Sequence, residues 1–288
     1  MRVQSSGPVL QRPRGRGRGA LVPLDRDLAK TPHASATDAP RLIGRFRPPM
    51  LKRAGRDFAR ALRAVASHAG DLIKSYEAGN IELLPQLTQL LRAYSDALTP
   101  WAETAVRRML GEVDARDRDS WRALGTAISA QLKLDVRATP AGEVLRSLMY
   151  SQVGLIKSIP IEAAERVHRL TIRALENSKR AGEIADEIEA SGQVLRSRAV
   201  LIARTEVART ASVLTETRAR SVGVTHYRWQ TSKDADVRPG HRAMQGKICR
   251  WDDPPAVNEG GRIMYHHPGR IWNCRCWPEP LPELEDET

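Results

Sequence analysis

Aromatic side chains are scarce, at 5% of 288 residues with only two Phe and five Tyr. Four of the six tryptophans (Trp229, Trp251, Trp272 and Trp277) nevertheless fall within fifty residues near the C-terminus, which points to a separate compact module there. Cysteine is rarer still: Cys249, Cys274 and Cys276. An odd number, with two of the three one residue apart, excludes the disulfide framework of a small secreted protein. No apolar run approaches the roughly 18 residues that a membrane span requires. Leu21-Val22-Pro23-Leu24 is too short for the apolar region of a secretory signal. These absences predict a soluble protein made in a reducing cytoplasm, with no membrane partner. The sequence shows no internal repeat, and its length allows one or two domains.

Negative charge is in the minority, with 34 Asp and Glu against 46 Lys and Arg and a net charge of +12. Residues 1–50 hold ten Arg and Lys against Asp25, Asp27 and Asp38, so over half of the excess lies there. Arg12-Pro-Arg14-Gly-Arg16-Gly-Arg18-Gly19 lacks apolar periodicity, and prolines continue to Pro49. This segment reads as a flexible basic arm. Arg12, Arg14, Arg16 and Arg18 are its candidate contacts to DNA phosphates, a contact that would read no sequence and would weaken with salt. The plainer reading is a solvated tail. The other end is acidic: residues 281–288 hold Glu283, Glu285, Asp286 and Glu287.

Residues 51–220 have a helical texture. Phe58, Leu62, Val65 and Ala69 recur at helical spacing, Gly79-Asn80 interrupts, and Leu83, Leu87, Leu90, Leu91 and Tyr94 form a second stripe. Pro100 opens a third helix through Trp101, Val106 and Leu110, with a further segment around Trp121, Leu124, Ile128 and Leu132. Short helices are expected over 141–158, 161–177 and 180–190. A longer one over 194–220 carries the stripe Leu195, Ala199, Ala203, Val207, Ala211 and Leu214. From Gly223 the pattern alternates through Trp229 as in a strand, and Gly, Pro, Asp and Asn then separate short apolar pieces at Ile248-Cys249 and Ile263-Met264-Tyr265. The expected class is α+β: a basic arm (1–50), a helical region (51–220), a module of small β-hairpins (221–280) and an acidic tail (281–288).

Chemistry-bearing residues concentrate in this module. Ala203-Arg204-Thr205-Glu206 lies on the last long helix; Asp234, Arg238, His241 and Gly246 follow Trp229; Pro268-Gly269 precedes Trp272-Asn273-Cys274-Arg275-Cys276. This ordered set resembles the phage Mu protein F-like family of minor head, or head-morphogenesis, proteins, and the likeness spans about 150–280, with Gly154 through Pro160 as its lead-in. Asp236 stands where an Arg is more usual, Cys249 is not a family position, and the His266-His267 pair is uncommon. The resemblance implies a structural role rather than a catalytic one: a few copies near the portal, contacts with portal and major capsid or scaffold proteins, and help in head assembly and in packaging or delivering DNA. It implies residence in the host cytoplasm and then in the virion head.

The residues themselves leave several chemistries open. Cys274 and Cys276 place two sulfurs on one side of an extended segment. With His241 and one of His266, His267, Cys249 or Asp234 they make a tetrahedral zinc set. The alternatives are buried thiols in a small core, or a disulfide from Cys249. His241 with Asp234 is also a candidate acid–base pair, and His266-His267 with Asn273 follows the order of a small metal-dependent nuclease without its strand-to-helix setting. A hydrogen-bonded network of Asp234, Arg238 and His241 that fixes loops is the structural reading. Arg204 and Glu206, with Arg209 beyond, are either a solvated helix face or a dock for the module, Arg204 reaching Asp234. The rival functions are a metal-dependent nuclease or toxin-like enzyme, for which a further domain after Cys276 is the expected mark, and a plain DNA-binding protein.

Overall fold

The structure is a computed structural model that describes residues 51–76, 80–125, 141–176 and 181–282. The basic arm, Ile128, Leu132 and the tail from residue 283 lie outside the described residues. The expected α+β class holds: long helices are followed by small antiparallel sheets.

Helix α1 (Lys52–Lys74) buries Phe58, Leu62, Val65, Ala66, Ala69 and Ile73 on one face, as its periodicity requires. A 3-10 turn (Ile81–Leu83) leads into α2 (Leu84–Ala97), where Leu84, Leu87 and Leu91 face inward. Leu90, expected on that stripe, points to solvent at 53% exposure. It lies one residue from Leu91, about 100° away around the helix. Helix α3 (Thr99–Gly125) is a single element that joins the two segments read around Trp101 and Trp121.

The short helices expected over 141–190 are instead parts of two long ones, α4 (Gly142–Glu176) and α5 (Ala181–Ser221). Pro160 does not end α4, although it removes a backbone donor. It is buried, and the carbonyl it deprives of a donor is that of Ile156; one residue on, the Lys157 carbonyl accepts a hydrogen bond from Ser95 Oγ of α2 at 2.9 Å, so α2 packs against this stretch. The stripe on α5 is buried along its whole length, from Leu195 through Leu214. Helix α1 makes its most extensive contact with α5, and Gly70 approaches Gly192 where the two backbones come close.

After α5 come β1 (His226–Gln230), a short helix α6 (Pro239–Arg242), β2 (Ile248–Arg250), β3 (Ala256–Glu259), β4 (Arg262–Tyr265) and β5 (Trp277–Leu281). β1 is central, pairing antiparallel with β2 and β5, while β3 and β4 form a separate hairpin. Pro278 and Pro280 sit on β5, an edge strand, where a missing donor is tolerated.

Two apolar clusters form. One lies among the helices. The second gathers Tyr227, Trp229, Trp251, Val257 and all three cysteines, together with Trp121 and Leu124 of α3 and Ala219 of α5. The small module therefore completes its core with helical residues. Beside them, Arg218 of α5 reaches Asp117 and Asp114 of α3, with Asp117 fully buried. Burial raises the Asp117 carboxyl to about 6, against the opposing pull of Arg218.

A His–Cys–Cys cluster and its hydrogen-bonded frame

The sequence singles out residues far apart in the chain, and the fold brings most of them to one place. Pro239 presets the first turn of α6, and Gly240 lets that turn lie against β3: a Cβ at 240 would stand 2.0 Å from the Asn258 carbonyl oxygen. His241, next in the chain, is thereby buried and aimed at the segment before β5. There Asn273 takes a left-handed φ of 54°, and Cys274 and Cys276 turn inward. His241 Nδ1 lies 3.4 Å from each sulfur. The backbone N–H groups of Gly269 and Cys276 both donate to Cys274 Sγ, at 3.4 Å.

The far side of His241 is held by Glu259, a residue that sequence reasoning missed. Its Oε1 bonds His241 Nε2 and, at 3.1 Å, His266 Nε2, and its Oε2 accepts from Arg238 at 3.1 Å. Three basic side chains converge on one nearly buried carboxylate. Burial pushes its pKa up, but His241 and the other partners outweigh this and the carboxyl ends below its usual range. For His241 burial pulls downward, Cys274 and Glu259 pull upward, and the ring ends above its usual value. The hydrogen bond from Cys276 holds the Cys274 thiol well below the ordinary thiol range, and Cys276 is correspondingly raised.

The remaining expected residues frame this cluster. Arg238 also donates to the Trp272 carbonyl at 2.7 Å and lies over the Trp272 ring. Gly246 has φ +80°, which favours glycine, and its N–H pairs with the Trp229 carbonyl in the turn before β2. Pro268 is buried, and Gly269 passes so close to α5 that a Cβ would meet the Ala208 carbonyl oxygen at 3.1 Å.

Several expected pairings take a different form. Asp234 does not join His241; it accepts from Arg275 at 2.7 Å, and Asp236 binds the same guanidinium. Arg204 does dock α5 to the module, but through Asn273 Oδ1 at 2.9 Å, while Thr205 Oγ1 accepts the Asn273 N–H. Glu206 faces the helices, where Gln152 donates to it at 3.2 Å, and Arg209 stands 4.0 Å away. Neither His266 nor His267 completes a ligand set with the cysteines: His266 is engaged with Glu259, and His267 Nδ1 meets the Tyr227 hydroxyl at 2.9 Å. Burial depresses His267 to about 4. Cys249 sits on β2 as a free thiol, raised to about 11 by burial, so the Cys249 disulfide is not formed. Asn273 is followed by β5, not by the helix of a nuclease motif.

Residues 165–278, from the middle of α4 into β5, match the family described as Phage Mu protein F like protein. This region belongs to the phage Mu protein F-like family. A Haemophilus influenzae protein, described as an uncharacterized protein, is 30% identical over 163 residues. The alignment covers 57% of this chain but 34% of the relative, so the chain spans about a third of the relative's length. No solved structure matches. The Mu F-like region thus contains the whole His–Cys–Cys cluster, its Glu259 frame and the Arg204–Asn273 dock. The match over residues 165–278 points to a phage head-related protein, and among the described residues no helix is long and apolar enough to cross a membrane.

Proposed function

We propose that this chain is a minor head protein of a tailed phage that acts through protein contacts near the portal, assisting procapsid assembly and the packaging or delivery of DNA. Its working places are the host cytoplasm during assembly and then the virion head. The observation that carries the reading is how the Mu F-like residues are used. Arg204, Thr205 and Asn273 join α5 to the module, and Arg238, His241 and Glu259 bind its loops to one another. These side chains hold the scaffold together. The cavity over His241, Cys274 and Cys276 is about 40 Å³, room for a water molecule or two and far short of a substrate pocket.

The test is co-expression with the portal, capsid and scaffold proteins of the same phage, followed by affinity capture of this chain. The portal protein is expected to co-purify, and purified chain is expected to show no nuclease, phosphatase or ADP-ribosyltransfer activity. His241→Ala should lower stability by about 1–3 kcal/mol, the cost of stranding a buried partner, with no turnover to lose. Activity above a matched His241→Ala control, without portal capture, would overturn the structural reading in favour of an enzyme. The ten basic residues of the arm support a second role in non-specific DNA contact.

A further inference from the structure

The structural role leaves one arrangement unexplained. His241 Nδ1, Cys274 Sγ and Cys276 Sγ are all buried and all converge, with their ligand atoms within 4.8 Å of one another. An imidazole nitrogen with one lone pair accepts one S–H. Here two sulfurs lie at the same 3.4 Å from it, so a thiol–imidazole hydrogen bond accounts for only one of them. A cation at the centre accounts for both. Zinc bonds of about 2.3 Å to sulfur and about 2.0 Å to nitrogen, at the tetrahedral angle, separate the two atoms by about 3.5 Å.

The surroundings agree with a metal. Glu259 occupies the Nε2 side of His241, which holds the proton there and leaves the Nδ1 lone pair facing the sulfurs. Carboxylate–imidazole pairs of this kind commonly orient a metal-binding histidine. Backbone N–H groups point at Cys274 Sγ, as they do toward thiolates that carry negative charge. The buried Trp229 Nε1–H makes no well-formed hydrogen bond, and the Cys276 sulfur is the acceptor toward which it lies. A nucleophilic cysteine would need one privileged sulfur and an open approach. This site has two sulfurs at the same distance from one imidazole nitrogen, beneath a cavity of about 40 Å³.

We propose that His241, Cys274 and Cys276 bind a zinc ion, with water in the fourth position facing the small cavity bordered by Ser232, Asp236 and Asn273. The ion joins α6 to the segment that leads into β5, and so closes a module that otherwise borrows part of its core from the helices.

The experiment uses the full, reduced chain. As purified it should hold about one zinc per chain by elemental analysis. After stripping, titration with cobalt(II) should saturate at the same stoichiometry, with a thiolate-to-metal charge-transfer band and the intense visible bands of a tetrahedral site, and zinc should bleach both. Cys249→Ser should keep the full signal, whereas the Cys274→Ser, Cys276→Ser double variant should lose it. Glu259→Gln should bind about 10–100-fold more weakly with the same spectrum. Because the cobalt titration reads the unaltered chain, misfolding of a variant does not blur the answer. A folded wild-type chain without zinc and without a cobalt–thiolate band overturns the proposal. So does a signal lost equally in Cys249→Ser.

Discussion

Replacing Arg218 by Met should be among the most damaging single changes available, and its cost should depend on pH in a defined direction. Arg218 is 3% exposed and binds Asp117, itself at 0%, together with Asp114. Without the guanidinium, Asp114 keeps Arg118 at 3.1 Å, whereas Asp117 keeps only the hydroxyl of Thr215. Removing one member of a buried pair costs about 3–5 kcal/mol while the other stays charged. Asp117 has an escape, which is to take up a proton. Burial already holds its folded pKa, at about 6, above the ordinary aspartate value of 3.8. The folded state therefore binds more protons than the unfolded chain between those values, and stability falls as pH rises through that window. Losing Arg218 removes a pull that lowers the pKa, so the variant's window extends to higher pH. Below about pH 5 the carboxyl is neutral in both proteins, and the difference should shrink to the lost hydrogen bonds, about 1–2 kcal/mol. At pH 8 wild-type Asp117 is charged and paired, and the full cost should appear. Urea unfolding of both proteins at pH 5 and pH 8 gives the two differences directly, since titrations common to both cancel. A penalty that is the same at both pH values, or below about 1 kcal/mol at pH 8, would refute the reasoning.

Two further outcomes are expected. Gly240→Ala should cost at least about 2 kcal/mol, because the new methyl meets backbone of β3; Gly246→Ala, with open space but a φ of +80°, should cost about 1 kcal/mol, and thermal unfolding of the two variants should rank them in that order. Deleting residues 1–47 should leave the melting midpoint unchanged and should remove salt-sensitive DNA binding in a filter or anisotropy assay, whereas equal binding by both chains would assign the arm to a protein partner.

Much of the helical region was legible because its signal is periodic. The stripe from Leu195 to Leu214 needed no tertiary information: every member sits on one face, and that face is buried. Pro160 misled for the opposite reason. A proline signals a break through local backbone chemistry, whereas its burial and the packing of α2 on this stretch, marked by the hydrogen bond from Ser95 to the Lys157 carbonyl, are tertiary. The site divides in the same way. His241, Cys274 and Cys276 were singled out because few residue types offer soft ligand atoms. Glu259 was not, because a glutamate before Gly260-Gly261 reads as an ordinary hairpin end, and only the fold sets two imidazoles and a guanidinium around it. Asp117 and Arg218 were equally silent: charged residues on a long helix look solvated until a second helix covers them.

The Mu F-like match begins at residue 165, yet the module it contains is not packed by that region alone. Trp121 and Leu124, which lie before the match, are part of the module's apolar cluster. Asp114 and Asp117 lie on the same helix as these two, and Arg218, one residue before Ala219 of that cluster, binds both. The apolar and the ionic contacts therefore attach α3 to the same end of α5. Arg204, 14 residues before Arg218 and so about 21 Å back along the helix, fastens the Cys274 segment through Asn273. These contacts give α5 two separate attachments to the module: its end joins the module to the unmatched helices, and its middle fixes the loop that carries the cysteines. A change at Arg218 acts on the first attachment and a change at Cys274 and Cys276 on the second. If the module and the helices unfold as one cooperative unit, either change should move a single shared transition; if they do not, removing the proposed zinc should melt the module while the helical signal persists.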